Sequence, residues 1–263
     1  MDSSWTHVTP SAFKGKRIFR LGLAANYGID EDGVRMAMDR GVNLFLWTSR
    51  GKKGMRNPLR EALKQRRDDV AVVGFATIGY FGWSVRSGAE SLLKDLGVER
   101  LDVLLLGWVG VGSALTEATE KELVHLRESG KVGAIGVSIH DRPRAGKLAE
   151  SSPLDLLMIR YNAAHPGAER EIFPHVKDHS PSILAYTATS WRSLLKKPRG
   201  WDGPVMTAGD CYRFQLSNPH VDLALTGPAS RAQMEENLAA MEKGPLTPDE
   251  AKWMRAFGHA VHG

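Results

Sequence analysis

Val70-Ala-Val-Val-Gly-Phe-Ala-Thr77 is a nearly continuous apolar run; an amphipathic segment, Ser87–Leu96, and a second apolar run, Val103-Leu-Leu-Leu106, follow it. Apolar runs that do not alternate with polar residues predict strands buried on both faces, as in a parallel sheet covered by helices. The same unit repeats in both directions. Upstream, the pattern predicts strand Ile18–Leu23, helix Glu31–Arg40 with Asp30 as N-cap, strand Val42–Leu46 and helix Met55–Arg66. Downstream it predicts helix Thr116–Ser129, strand Gly133–Ser138, helix Arg142–Glu150, strand Leu154–Ile159, helix Glu169–Lys177 and strand Ser182–Tyr186. After the Pro- and Gly-rich stretch Lys197–Gly209 come helix Asp210–Ser217, strand Val221–Thr226, helix Arg231–Lys243 and a last helix starting at Thr247–Pro248. Eight strands alternating with helices over about 250 residues predict a closed (β/α)₈ TIM barrel in one domain, residues 1–263, with an open doubly wound sheet as the alternative.

Composition narrows the function. The hydrophobic fraction is 42% and the charged fraction 25%, ordinary for a globular chain and unlike a disordered or collagenous one. The uncharged run Val70–Val85 is shorter than the ~18 apolar residues of a membrane helix and holds several glycines. The net charge of +5 is not gathered into a basic stripe interleaved with aromatics, so no nucleic-acid partner is expected. Residues 1–12 lack a basic head followed by an apolar run, and Cys211 is the single cysteine, so the expectation is a cytoplasmic protein, a monomer or homodimer, acting on a small molecule. Cys211 follows Asp210 at a helix start and is expected to be a buried, inert thiol. His175 and His179 stand i, i+4 with no evident third ligand, so no metal site is expected.

In a barrel of this kind chemistry sits where strands end. These ends carry Asn26 and Tyr27; Trp47, Thr48, Ser49 and Arg50; Thr77, Tyr80 and Trp83; Trp108; Ser138 and His140; Arg160, Tyr161, Asn162 and His165; Tyr186, Thr187, Thr189, Ser190 and Trp191; Thr226 and Gly227. The rim is aromatic and hydroxyl-rich and has no carboxylate, which disfavours paired-carboxylate hydrolysis.

Several segments resemble the aldo-keto reductases in the right order: Gly41-Val-Asn-Leu-Phe45, Gly130–Ser138, Arg160-Tyr-Asn162 followed by Glu169-Arg-Glu171, Ala185-Tyr-Thr187, and Leu225–Ser230 with Gln233, Glu236 and Asn237. The resemblance implies an NAD(P)H-dependent (β/α)₈ barrel. It implies that NADP(H) is held by Ser138 at the nicotinamide amide, by Tyr186 stacked on the ring, and by Thr226, Gly227, Gln233, Glu236 and Asn237 at the adenosine phosphate. The family's Asp, Tyr, Lys and His, which set the proton donor's acidity, fall on Leu46, Gly51, Ile78 and Gly107. The expected catalytic groups are therefore Tyr80 and His140, and the expected substrate-binding residues are Trp47, Arg50, Trp108, Asn162, His165 and Trp191. Reduction of a carbonyl, imine or enone through such a non-standard site is the leading expectation. The alternatives are a non-redox barrel enzyme (isomerase, lyase or cyclase) and a catalytically silent nucleotide-binding protein.

Overall fold

A computed structural model describes residues 3–25, 27–48, 53–77, 81–110 and 115–262. Eight parallel strands, β1 Leu21–Ala24, β2 Leu44–Thr48, β3 Ala71–Thr77, β4 Leu101–Val109, β5 Val132–Ile139, β6 Leu156–Arg160, β7 Ser182–Tyr186 and β8 Leu223–Thr226, close into a ring in sequence order, β8 returning to β1. Closure pairs Ala224 with Leu21 and Thr226 with Leu23, and excludes the open sheet. Around the ring lie α1 Glu31–Asp39, α2 Lys53–Gln65, α3 Gly82–Leu96, α4 Glu117–Glu128, α5 Arg142–Ser151, the short α6 Ala168–Glu171, α7 Ala208–Leu216, α8 Arg231–Met241 and a last helix, α9 Pro248–His262. No helix among the described residues is long and apolar enough to cross a membrane.

Strand alternation sorts the apolar residues into two cores. Leu44, Leu46, Val73, Phe75, Val103, Leu105, Leu156, Met158, Leu184 and Leu223 fill the barrel. Their neighbours in sequence, such as Phe45, Trp47, Val72, Leu104 and Ile159, face the helices. Ala12, Phe13 and Ile18 close the base of the inner core. They belong to an N-terminal hairpin, His7–Val8 paired with Ile18–Phe19, so the strand expected over Ile18–Leu23 is divided between hairpin and barrel. Arg20 sits at the division, donating to the carbonyls of Leu216, Val221 and Asp222. At the same end Asp102 binds Lys16 at 2.8 Å, Arg67 at 3.0 Å and the Val72 amide at 2.8 Å.

Caps follow residue chemistry. Asp30 accepts from the Gly33 amide, as expected for the N-cap of α1. The helix expected over Glu169–Lys177 instead stops after Glu171, and Phe173–His175 forms one 3₁₀ turn around Pro174, which has no amide proton to donate. His175 and His179 therefore share no helix face: His175 meets Glu150, while His179 meets Asp222 at 3.0 Å. No three metal-ligating side chains gather among the described residues. Cys211 is buried, and burial pushes its thiol up, away from the reactive thiolate.

The last helix is held by a pair with a measurable signature. Arg213, buried on α7, binds both carboxylate oxygens of Glu250 at 2.7 and 3.0 Å and the carbonyls of Gly244 and Pro245. Arg213 and the Thr247 amide pull the Glu250 carboxyl from 4.5 to about 2. Its contribution is therefore complete above pH 4.5 and is lost as pH falls toward 2. Because Glu250 is about one-third exposed, we expect Glu250→Ala to cost ~2–3 kcal/mol at pH 7, below the full cost of orphaning a buried partner. Urea denaturation should show the gap between variant and wild type narrowing below pH 4.5.

Candidate active site

The inward residues at the C-terminal mouth divide it into two unlike halves. On β2–β4 it is apolar. Leu46 and Phe75 face inward, and a Cβ on Gly107 would lie 2.0 Å from Phe75 Cζ, so the phenyl ring fills the space over Gly107. Trp108, 55% exposed, packs on Phe75 with ring centroids 5.4 Å apart. Leu46 and Gly107, which fall on the family's Asp and His, thus belong to a continuous apolar wall. Gly51 and Ile78, on the other two positions, lie outside the described residues, as do the expected site residues Tyr80 and Arg50.

On β5–β7 the mouth is polar. Ser138 Oγ is fully buried and has no partner of normal hydrogen-bond geometry among the described residues. Tyr186, the inward residue that ends β7, brings its hydroxyl to 2.6 Å from His140 Nε2, with the two rings edge-to-face at 5.7 Å. Arg160 stands opposite Tyr186 in the β6–β7 register. Burial pushes the Tyr186 phenol up to about 12, against the pull of the Ser138 hydroxyl and the Arg160 charge. Burial, and then the Arg160 charge, lower His140 from 6.5 and so favour the neutral imidazole. This couple unites one expected catalytic residue, His140, with one expected nicotinamide-binding residue, Tyr186.

The remaining site residues divide between display and support. Trp47 needs a correction: it alternates with inward Leu46, so it points outward, is 1% exposed, and donates Nε1–H to Asp95 at 2.8 Å, away from any substrate. Asn162 is fully buried. Its Nδ2 donates to the Thr187 carbonyl at 2.8 Å and its Oδ1 accepts from the Ala164 and His165 amides, so it ties the β6 and β7 loops together. His165 lies 4.4 Å from the His262 ring, and burial, Arg160, His262 and Arg142 hold it down at about 4. Trp191 is 65% exposed at the mouth. Its loop has positive φ at Thr187, Ser190, Trp191 and Arg192. Such backbone costs roughly 1–3 kcal/mol per residue and gathers at functional sites.

Two supporting residues escape the sequence reading. Gln215 on α7 is fully buried and donates Nε2–H to the carbonyls of Tyr161, at 2.6 Å, and Tyr186, at 3.2 Å, fixing the ends of β6 and β7. Tyr212 accepts from Thr226 Oγ1 at 2.8 Å. A glutamine and a tyrosine among the buried residues of α7, beside Cys211, Phe214 and Leu216, are the signal that would have found them.

At the expected adenosine end, Asn237 Nδ2 donates to Thr226 Oγ1 at 2.9 Å, and both residues are buried, so they hold the β8 loop from beneath. Gln233 accepts from the Ala229 amide at 2.8 Å, and Gln233 and Glu236 are exposed on α8. The Tyr27 ring lies across Gly227, where a Cβ would come within 2.3 Å of it. The unpartnered Ser138 hydroxyl and the Ser230-capped start of α8 fit a phosphate-bearing nucleotide with an amide at its other end.

A closed (β/α)₈ barrel with its polar groups at the strand C-terminal ends has the architecture of a barrel enzyme. The profile described as "Aldo/keto reductase family" matches residues 59–206, more than half of the chain, and the chain belongs to that family. It is 24% identical over 213 residues to an NADH-specific methylglyoxal reductase of Escherichia coli (strain K12), an alignment covering 68% of this chain and 65% of that protein. It is 25% identical over 238 residues to the human aflatoxin B1 aldehyde reductase member 4, covering 68% and 70% respectively. Among solved structures, the holo form of an aldo-keto reductase from Bacillus halodurans superposes with a TM-score of 0.78 at 17% identity, covering 96% of both chains. A Klebsiella pneumoniae aldo/keto reductase in complex with NADP and acetate superposes with a TM-score of 0.78 at 20% identity, covering 97% of this chain and 95% of that one. At these identities the structural matches establish the fold.

Proposed function

We propose that this chain reduces a small carbonyl compound with NAD(P)H, using the β5–β7 side of its barrel mouth instead of the family's usual acid. The observation that carries this reading is the 2.6 Å contact between Tyr186 Oη and His140 Nε2 beside the unpartnered Ser138 hydroxyl. Ser138, Tyr186 and the β8 loop with α8 are the residues that would hold the nucleotide. Bound there, a reduced nicotinamide would supply a hydride to the carbonyl carbon. Protonated His140 gives its proton to the carbonyl oxygen as negative charge develops there, completing the alcohol. The proton given is the one on Nδ1; the neutral imidazole that remains donates Nε2–H to the Tyr186 hydroxyl, and solvent reprotonates Nδ1 on the exposed side. The apolar wall of Leu46, Phe75 and Trp108 keeps water from the reacting carbon. Family membership and the relatives named as reductases support this reading, as does the single buried cysteine for a reducing cytoplasmic setting.

That same apolar wall favours a second reading, in which nucleotide is bound without turnover. Titration of the purified protein with NADPH and NADH, followed by tryptophan fluorescence and calorimetry, should give saturable binding at micromolar concentrations. NADPH or NADH should then be consumed with at least one member of a panel of aldehydes, ketones and imines. Binding without consumption across the panel selects the silent reading, and no binding at millimolar nucleotide overturns both.

A further inference from the structure

The arginines that are not fully exposed each have a protein acceptor for the guanidinium, with one exception; Arg56, bound to Asp95, is paired although its buried Nε has no partner among the described residues. Arg67, Arg127, Arg142 and Arg213 bind carboxylates, and Arg20 and Arg144 bind backbone carbonyls. Arg160 is half-buried and has neither hydrogen bond nor ion pair among the described residues. Its guanidinium carbon lies 5.9 Å from the centre of the Trp191 ring. Its guanidinium nitrogens are not among the buried polar atoms that lack a partner, so they reach solvent at the mouth, where a ligand can meet a planar set of donors. Arg160 is inward by strand parity: it follows Met158, which faces the barrel interior, at the next inward position of β6. It pairs in register with Tyr186, so the two Cα atoms are about one strand spacing, ~4.8 Å, apart. Trp191 is set over it by the loop whose backbone is left-handed at Thr187, Ser190, Trp191 and Arg192, and this loop is fixed to the β6 end by Asn162. The Arg160 charge is felt by both neighbouring histidines, lowering His140 and His165 alike.

We propose that Arg160 and Trp191 form a subsite for a carboxylate, so that the substrate of the reaction proposed above is a carbonyl compound bearing an acid group: an oxo acid with a flat or apolar remainder. Arg160 supplies the planar two-donor fork that matches a carboxylate. Adjacency of Arg160 to Tyr186 places acid and carbonyl a few bonds apart in the ligand. Trp191 and Trp108, both exposed at the mouth, offer ring faces to its remainder.

The inference rests on the reductase reading for its reaction, and its test is an equilibrium measurement that does not. Phenylglyoxylate and its methyl ester are titrated into nucleotide-free protein, with tryptophan fluorescence and calorimetry as readouts and inorganic phosphate as a third ligand. Wild type is expected to bind the acid about 10- to 100-fold more tightly than the ester, the range for a hydrogen bond to a charged group. Arg160→Gln is expected to abolish that preference and Arg160→Lys to keep part of it, with circular dichroism confirming that both variants are folded. Equal affinity for acid and ester in wild type, no saturable binding of the acid, or a preference that survives in Arg160→Gln overturns the subsite. Arg160-dependent binding of phosphate but not of the acid overturns the carboxylate assignment. An Arg160-dependent acid preference in a protein that consumes no NADPH upholds the subsite and removes the reductase reading.

Discussion

Replacing His140 with alanine is expected to lower kcat about 10²- to 10³-fold, while leaving the affinity for nucleotide within a few-fold of wild type. Proton transfer by a positioned side chain contributes roughly this much. His140 is also the more exposed member of the couple. The pH profile gives a second, independent readout. Burial and the Arg160 charge hold the imidazole below 6.5. A general acid works in its protonated form, so kcat should rise as pH falls and level off below a limb whose apparent pKa is under 6.5. Tyr186→Phe keeps the ring but removes the hydroxyl that accepts from the imidazole Nε2–H, a bond strongest when the imidazole is charged. The limb should therefore move to lower pH in that variant, with a loss in kcat smaller than that of His140→Ala. A His140→Ala enzyme with wild-type kcat, or a profile flat from pH 5 to 8, would remove His140 from the chemistry.

Restoring the family histidine by Gly107→His is expected to destabilise the protein and restore nothing. The Cβ alone would meet Phe75 Cζ at 2.0 Å, and the Phe75 ring is closed in between Gly107 and Trp108. Overpacking at such a contact costs about 3 kcal/mol or more, which for a chain of this size lowers Tm by about 6–12 °C. Phe75→Ala alone costs about 3–5 kcal/mol through the cavity it leaves. The double variant should cost less than the sum of the two, because the imidazole occupies that cavity. Differential scanning calorimetry of the four proteins measures the coupling. Strict additivity would show that the two positions do not share one space, and the apolar wall would then need another explanation.

The barrel was legible because its strands are buried on both faces and read as short apolar runs separated by amphipathic segments. The places where the sequence misled have specific causes. Strands of two residues, such as His7–Val8 and Ile18–Phe19, are too short to show any period. Helix α3 begins at Gly82, before the expected Ser87, where the Ser84 hydroxyl bonds back to the Phe81 carbonyl at 2.6 Å and closes the first turn. In the site, membership of a strand end was taken as membership of the mouth. Alternation decides between them: inward Leu46 sends Trp47 outward, and inward Met158 sends Arg160 inward. The meeting of His140 with Tyr186 joins residues 46 apart in the chain and depends on the stagger of β5 against β7, which no local pattern encodes.

Hydride transfer itself can be followed by incubating the protein with NADPH deuterated at the transferable C4 position and with the carbonyl substrate found in the panel, and analysing the product alcohol by mass spectrometry. One deuterium on the former carbonyl carbon, formed by wild type and at a rate at least 100-fold lower by His140→Ala, is the predicted result. Saturable NADPH binding with no deuterium in any product would contradict it and leave a barrel that holds its nucleotide without using it.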